Sequence, residues 1–172
     1  VTIALSEFNM NRQINTRLAD EAPAWFFIDI QPHQKPSFET ITSDLVSGDN
    51  VVMVPMLRGR VVALDNVPAA KINAPQSEAW ILNGDRGLTW AGKAPENVNI
   101  VKGEWWPDDY RGPMQVSMDE EAMTAFGLDL GSTVTFNIAG RELEATITSA
   151  RKIEWQNFGL NFVFILSPGM IE

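Results

Sequence analysis

Apolar and polar residues alternate along the segment AWFFIDIQ (residues 24–31), a pattern typical of a β-strand. Phe26, Ile28 and Ile30 would share one face of this strand, because successive side chains in a strand point to opposite sides. Pro32 follows directly and is expected to end the strand.

A helical period follows in KPSFETITSDLVSG, where Phe38, Ile41 and Leu45 recur at a spacing that places them on one face. We therefore expect a helix that buries this stripe. Residues 50–54 and 58–64 are rich in β-branched residues and predict two more strands. Strand, helix and strand together predict a β-α-β unit.

The last third of the chain also has clear periods. MQVSM predicts a strand, and Ser117 with Glu120 has the spacing of a capping box that would begin the helix EEAMTAFG. DLGSTVTFNIAGRELEATITSARKIEW alternates on both sides of Ala139-Gly140, which predicts a hairpin. NFVFILS predicts a final buried strand.

The middle of the chain has weaker patterns. AAKINAPQSEAW favours irregular structure or a short helix, and AWILN favours a strand. GDRGLTWAG is rich in Gly and favours a loop or hairpin, whereas NVNIVKGEWW predicts a short strand followed by a turn. A boundary between two lobes is expected between residues 65 and 105.

The N-terminal segment predicts a helix, with Ile3, Met10, Ile14 and Leu18 on one face and Pro23 at its end. The chain opens with Val rather than Met, and closes directly after an apolar strand and a turn. This pattern favours a piece of a longer polypeptide. The alternative is a mature chain after removal of a signal peptide, which would also lack Met.

Composition excludes several classes of function. The chain has 172 residues, 22 acidic against 13 basic, and a net charge of −9, which argues against nucleic-acid binding. Cys is absent, so disulfides, thiolate zinc sites and Cys nucleophiles are excluded, and a single His excludes a multi-histidine metal centre. No apolar run approaches the roughly 20 residues of a membrane-spanning helix.

The acidic residues raise the hypothesis of hydrolysis by paired carboxylates, with Asp29, Glu104, Asp108 and Asp109 as candidates. Turn chemistry and strand position explain these residues better. DDYRGPMQVSMDEE has the wrong spacing for a calcium loop. His33 lies between prolines and is expected to be a solvated loop residue rather than a catalytic base. We expect neither catalysis nor a metal or cofactor.

The aromatic content offers a binding hypothesis. Exposed Trp side chains could line a groove for a sugar or an apolar ligand, although most Trp residues in a small lobe belong to its core. If the adjacent residues Trp105 and Trp106 lie in an extended segment, one of their two rings would point outwards. The six candidates are Trp25, Trp80, Trp90, Trp105, Trp106 and Trp155.

Several strings together point to a family: EAPAWFFIDIQPHQ, VPMLRGRVVALD, NGDRGLTWAG, VKGEWWP and LGSTVTFNIAGRELEATITSARKIEWQNFGLNFVFILSPG. They resemble the extracytoplasmic region of bacterial FtsX/MacB-type ABC transporter permeases. More narrowly, they resemble the permease group linked to lysophospholipase L1. The resemblance covers nearly the whole chain.

The resemblance implies an α+β fold with a MacB-like periplasmic core. Residues 1–22 would continue a transmembrane helix into the periplasm, and residues 23–100 would form a porter-like β-α-β lobe. Residues 101–172 would form a strand-rich, sabre-like lobe with a return strand. The second half of the porter lobe should follow the sabre, so that lobe would be incomplete here, with either an exposed apolar surface or a partner that fills the gap.

The function implied by the resemblance is mechanical. A cytoplasmic ATP-binding subunit would hydrolyse ATP, and the permease would relay that motion to this domain on the periplasmic side of the inner membrane. The domain would then handle a periplasmic protein or lipid-like substrate, and a second permease copy is a further candidate partner. The expected residues of substrate or partner contact are Arg58, Arg60, Trp105 and Trp106.

Two other functions compete with this one. A separate periplasmic module that binds glycan or lipid through surface Trp residues predicts a change of Trp fluorescence on ligand binding. A hydrolase predicts pH-dependent turnover that is lost when Asp29 or Glu104 is substituted. The hydrophobic spans in the full reading frame would distinguish the first of these from a permease domain.

Overall fold

A computed structural model describes residue 25 and residues 27–46, 51–95, 98–153 and 161–169. The chain divides into two units. The first comprises residues 1–53 and 154–160, and the second comprises residues 54–153 and 161–172.

The regular structure described in the first unit is helix α1, Lys35–Leu45. Pro36 occupies its first turn, where a missing backbone N–H costs nothing, and the Val46 N–H donates to Thr42 O at its end. The predicted helix is therefore confirmed, but the predicted burial of its apolar stripe is wrong. Ile41 is 60% exposed and Leu45 is 76% exposed.

The strands predicted on either side of this helix are not formed by the described residues. Residues 27–31 and 51–54 have no strand pairing. Asp29 has a φ of 60°, in the left-handed region, which interrupts an extended chain. Alternating residues predict a strand only where a neighbouring strand supplies hydrogen bonds, and the described residues supply none here.

The second unit is built on a sheet of eight strands, with two short helices and a 3₁₀ turn. The helices are α2 (Ala79–Leu82) and α3 (Glu120–Ala125), and the 3₁₀ turn is Ala69–Lys71. The strands are β1 (Leu57–Leu64), β2 (Val67–Pro68), β3 (Arg86–Trp90), β4 (Asn99–Gly103), β5 (Gln115–Asp119), β6 (Thr133–Ile138), β7 (Arg141–Lys152) and β8 (Phe164–Leu166).

Six of these strands close into a barrel. Strand β1 pairs with β3, β3 with β8, β8 with β5, β5 with β7, β7 with β6, and β6 with β1. The pairs β3–β8 and β5–β7 are parallel and the other four are antiparallel. Strands β2 and β4 attach outside this ring, to β1 and β7 respectively. Closure satisfies backbone groups that an open sheet would leave at its edges.

The barrel strands supply most of the buried apolar core. Phe136 on β6 and Phe164 on β8 meet edge to face, with ring centroids 5.1 Å apart, and both are fully buried. Truncating a buried Phe to Ala costs roughly 3–5 kcal/mol, so this pair is a major contributor to the stability of the barrel.

The predicted hairpin is confirmed as β6 and β7. Its inward residues Val134, Phe136 and Ile138 alternate as expected, with Val134 and Phe136 fully buried. Ala139 and Gly140 have φ values of 50° and 83°, and positive values at both positions match the twist of the two strands. The predicted strands MQVSM and NFVFILS are likewise confirmed in β5 and β8.

Three local predictions are corrected. AWILN contains helix α2 rather than a strand, because so short an apolar run fits either period, and here Ile81 enters the core. GDRGLTWAG contains β3 rather than only a loop. The helix α3 is capped by Asp119, whose Oδ2 accepts from Ala122 N at 3.3 Å, while Ser117 stays inside β5.

The predicted α+β class is confirmed, with a strand-rich sheet and few helices. Strands β1 and β3 of the predicted porter-like lobe join strands of the predicted sabre-like lobe in one barrel. The lobe limits at residues 22, 100 and 172 remain predictions. The predicted helix with Ile3, Met10, Ile14 and Leu18 lies outside the described residues.

Candidate functional site

The predicted arginine pair lies on the outer side of β1. Arg58 and Arg60 are exposed and alternate with Gly59 and Val61, which are buried. A Cβ atom at Gly59 would lie 2.6 Å from Leu88 Cδ1, so a larger residue there would require Leu88 to shift. The alternation of the strand therefore directs both arginines outwards.

The two arginines differ in their partners. Arg60 Nε donates to Asp85 Oδ1 at 3.3 Å, an exposed ion pair worth about 0–1 kcal/mol. No ion pair of Arg58 is found within the described ranges. On the neighbouring strand, Gly87 stands opposite Arg58 and adds no side chain, which leaves this guanidinium accessible.

The predicted tryptophan pair is held by the loop that follows β3. Trp105 Nε1 donates to Gly92 O at 3.0 Å, and Trp106 Nε1 donates to Ala91 O at 2.8 Å. Their ring centroids lie 4.2 Å apart. Trp106 is 4% exposed, whereas Trp105 is half-buried, so one ring of the pair faces outwards and the other packs inside.

This contact joins two of the strings that carry the family resemblance, because GEWWP binds the end of GDRGLTWAG. Lys93 Nζ and Asp108 Oδ2 add an exposed ion pair at 3.4 Å across the same contact. The loop that contains GEWWP is thus hydrogen-bonded to the loop that follows β3. A role of Trp105 and Trp106 in partner contact remains a prediction.

The arginine pair and the tryptophan pair attach to opposite ends of β3. Arg60 bonds to Asp85, just before this strand, and Trp106 bonds to Ala91, just after it. A strand rises about 3.3 Å per residue, so these anchor points are about 20 Å apart. The structure therefore does not unite the four predicted residues in one small site.

The candidate acids do not form a catalytic arrangement among the described residues. Asp29, Glu104 and Asp109 are exposed, and Asp108 pairs with Lys93. His33 is exposed in the turn before α1, as predicted. Within the described ranges, no three His, Cys, Asp or Glu side chains are grouped so that they could hold a metal ion.

A different feature of the first unit is an exposed apolar surface, which includes Ile41 and Leu45 of the helix stripe that was predicted as buried. No residue of α1 is buried, and Phe27 meets Phe38 edge to face at a centroid distance of 5.2 Å. We call the exposed set the α1 apolar surface. It comprises Trp25, Phe27, Ile28, Ile41 and Leu45, each between 60% and 80% exposed.

Such exposure carries information. Burial of a Leu or Ile side chain is worth about 1.5–3 kcal/mol, and exposed apolar patches on folded proteins commonly mark interaction sites. The helical spacing of Ile41 and Leu45 was the signal in the sequence. It predicted an apolar face on the helix, which is present, but its burial was predicted wrongly, because both side chains are exposed.

Sequence reasoning missed a buried charged pair in the second unit, Asp119 and Arg151. The two are opposite each other on β5 and β7, and both are less than 5% exposed. The sequence pattern could have revealed Arg151, because it continues the series of every second residue, Ala145, Ile147 and Ser149, that is buried on β7. Alternation alone would place Arg151 on the buried side of β7.

A hollow of about 310 Å³ lies between the 3₁₀ turn and α2. It is lined mainly by small side chains, with Asn73 and Asn83 as its polar groups. Trp80, 40% exposed, belongs to the same short helix, and Arg86 lies 5.3 Å from its ring centroid. The hollow is shallow and bears no charged lining residue.

The described part of the chain contains no helix with the length and apolar character to cross a membrane.

Comparison with known proteins gives a match to a transporter permease. No protein-family model matches this chain. The chain is 30% identical over 159 residues to YbbP, an uncharacterized ABC transporter permease of Escherichia coli strain K12. The match covers 91% of this chain and 18% of the permease, so the chain spans less than a fifth of the length of this relative. The chain is thus related to a segment of an ABC transporter permease.

Proposed function

We propose that this chain is an extracytoplasmic domain of an FtsX/MacB-type ABC transporter permease and that its role is mechanical. The observation that carries the proposal is its 30% identity, over 91% of its length, to a permease segment. The domain would lie on the periplasmic side of the inner membrane. It would follow movements driven by an ATP-binding subunit in the cytoplasm and act on a periplasmic protein or lipid-like substrate.

The α1 apolar surface supports this proposal. A helix with no buried residue is incomplete as a folded unit, because helices in proteins are stabilised chiefly by packing of their apolar face. We propose that a part of the permease outside these 172 residues covers this surface. The porter-like lobe would then be completed only in the intact transporter.

The test of this packing uses Ile41→Ser and Leu45→Ser together. In the 172-residue chain, both side chains are exposed, so we expect the melting temperature to stay within a few degrees of the unsubstituted chain. In the intact transporter, the same pair should lower the yield of assembled complex. The matched control is Ser43→Ala on the same helix, which changes a polar exposed position and should affect neither measurement.

A loss of stability in the 172-residue chain itself would contradict the proposed packing, because it would mean that the two side chains are already buried there. Normal assembly of the intact transporter carrying both substitutions would contradict it equally.

We propose that Arg58, Arg60 and Trp105 contact a substrate or partner. Trp106, which is buried, would hold Trp105 in place through their ring contact. Arg58→Ala tests this assignment best, since Arg58 is exposed and its removal leaves no buried group unpaired. We expect Arg58→Ala to reduce substrate-stimulated ATP hydrolysis by the intact transporter and to leave the domain folded. Arg141→Ala, at another exposed strand position, is the control; equal activity of the two variants would overturn the assignment.

A second candidate function rests on the exposure of Trp25 and Trp80, which is 80% and 40%. A module that binds glycans or lipids through these rings would change its Trp fluorescence on titration with oligosaccharides or lipid micelles. Trp25→Phe and Trp80→Phe would each remove part of that signal. An unchanged spectrum across the titration would leave the permease domain as the better proposal.

A further inference from the structure

The polypeptide leaves the barrel unit after Ile153 and returns to it at Asn161, and residues 154–160 belong to the first unit. Arg151 lies just before the point of departure, near the end of β7. Its side chain is 4% exposed, which is rare for an arginine without a clear structural task.

One nitrogen of the Arg151 guanidinium donates hydrogen bonds to three backbone carbonyls. Nη2 donates to Phe162 O at 2.5 Å, to Val163 O at 2.8 Å and to Ser117 O at 3.4 Å. Phe162 and Val163 lie just after the point of return, and Ser117 lies on β5. Arg151, two residues before the point of departure, therefore bonds directly to the residues at the point of return.

The reach of this side chain is part of the argument. Strand β5 lies between β7 and β8 in the sheet. Two strand spacings amount to about 9–10 Å, a gap that requires a side chain as long as arginine. Consecutive carbonyls of a regular strand point to opposite sides, so Phe162 and Val163 are held in a bent conformation that presents both oxygens to Arg151.

The surrounding charge keeps the guanidinium in place. Burial lowers the pKa of Arg151 to about 10, and the nearby Asp119 acts in the opposite direction, so the group stays positively charged at neutral pH. Hydrogen bonds from a charged donor are about twice as strong as neutral ones. Asp119 also holds the same point directly, because its N–H donates to Val163 O at 3.0 Å.

We propose that Arg151 is a clasp that joins the points where the polypeptide leaves and returns to the barrel. Its hydrogen bonds hold Phe162 and Val163, which lead into β8, against Ser117 on β5. The inference concerns the chain alone and does not rest on the proposed transport function.

Arg151→Met tests the clasp in the 172-residue chain, because Met fills similar space without donors. We expect amide hydrogen exchange in residues 161–166 and 115–119 to become at least about tenfold faster, since the hydrogen bonds from Arg151 to three backbone carbonyls are lost. Exchange in β6, at residues 133–138, should stay unchanged. Arg151→Lys keeps the charge and much of the length of the side chain. Its exchange rates in residues 161–166 and 115–119 should lie between those of the unsubstituted chain and those of Arg151→Met.

The control is Arg141→Met, at the exposed beginning of the same strand, which should leave all these rates unaltered. Unchanged exchange near residues 161–166 in Arg151→Met would overturn the proposal. A uniform acceleration that includes β6 would also overturn it, because Arg151 would then support the whole barrel. If Arg151→Met does not fold, the same comparison is decided on Arg151→Lys.

Discussion

At the scale of single residues, two buried polar networks stand out in the barrel. Ser149 Oγ donates to Ser117 Oγ at 2.8 Å, and both side chains are fully buried. Close by, Asp119 caps α3 and faces Arg151 across the strand pair. Buried polar groups cost stability unless they are paired, and here the pairing specifies how β5 and β7 align.

Asp119 should make stability depend on pH. Burial raises the pKa of this carboxyl, and this outweighs the Ala122 N–H and Arg151, which lower it. A carboxyl whose pKa is raised by folding stabilises the protein fully at pH values below its unfolded pKa. That contribution is lost as the pH rises through the raised value.

Asp119→Asn keeps an oxygen that can cap α3 and removes the charge. We therefore expect the variant to gain stability relative to the unsubstituted chain as the pH rises from about 3.5 to neutrality. Urea unfolding at a series of pH values measures this difference. Glu142→Gln, exposed on β7, should show no such trend. An Asp119→Asn variant that loses stability relative to the unsubstituted chain as the pH rises would contradict the expectation.

At the scale of elements, sequence periods succeeded where the partner strand is near in the chain. The hairpin of β6 and β7 is such a case, because its turn residues and its alternation agree. The sequence pattern gave a wrong prediction for residues 27–31, where apolar and polar residues alternate but the described residues include no partner strand. A strand depends on its neighbour, so its pattern alone cannot establish that it forms.

The tight packing of β4 on β7 gives a prediction at this scale. Gly103 ends β4 with a φ of 73°, and a Cβ atom there would overlap Thr148 O. We expect Gly103→Ala to destabilise the barrel by more than about 2 kcal/mol, since left-handed backbone alone costs an alanine about 1–2 kcal/mol. Thermal and urea unfolding measure the loss.

Gly140→Ala is the matched control, because Gly140 has a φ of 83° and open space around its Cα. Its loss should be limited to the backbone cost, about 1–2 kcal/mol. Equal losses for the two variants would mean that β4 moves away from Thr148 at little cost.

At the scale of the whole molecule, the barrel and its core lie within the second unit. Strands far apart in the chain meet there, such as β1 with β6 and β3 with β8. Sequence patterns predicted these strands singly but not their order, because long-range pairing leaves no local signal. The candidate site shows the same limit, since Arg60 and Trp106 each have a clear local setting yet attach to opposite ends of β3.

Residues 54–172 alone should therefore fold. We expect this shorter chain to unfold cooperatively in a circular-dichroism melt and to keep the edge-to-face contact of Phe136 and Phe164. Phe136→Ala in the same short chain should lower the free energy of unfolding by roughly 3–5 kcal/mol and the melting temperature with it. A melt without a cooperative transition would contradict the division into units.

The position of β8 in the ring has a consequence for biosynthesis. Strand β8 bridges β3 and β5, yet it is the last barrel strand to leave the ribosome, more than seventy residues after β3. At about 5–20 residues per second, β3 waits on the order of ten seconds for its parallel partner. During that interval β3, and β5 once it has been synthesised, lack their β8 partner. Chaperone protection would matter most for this protein in the seconds before residues 164–166 emerge.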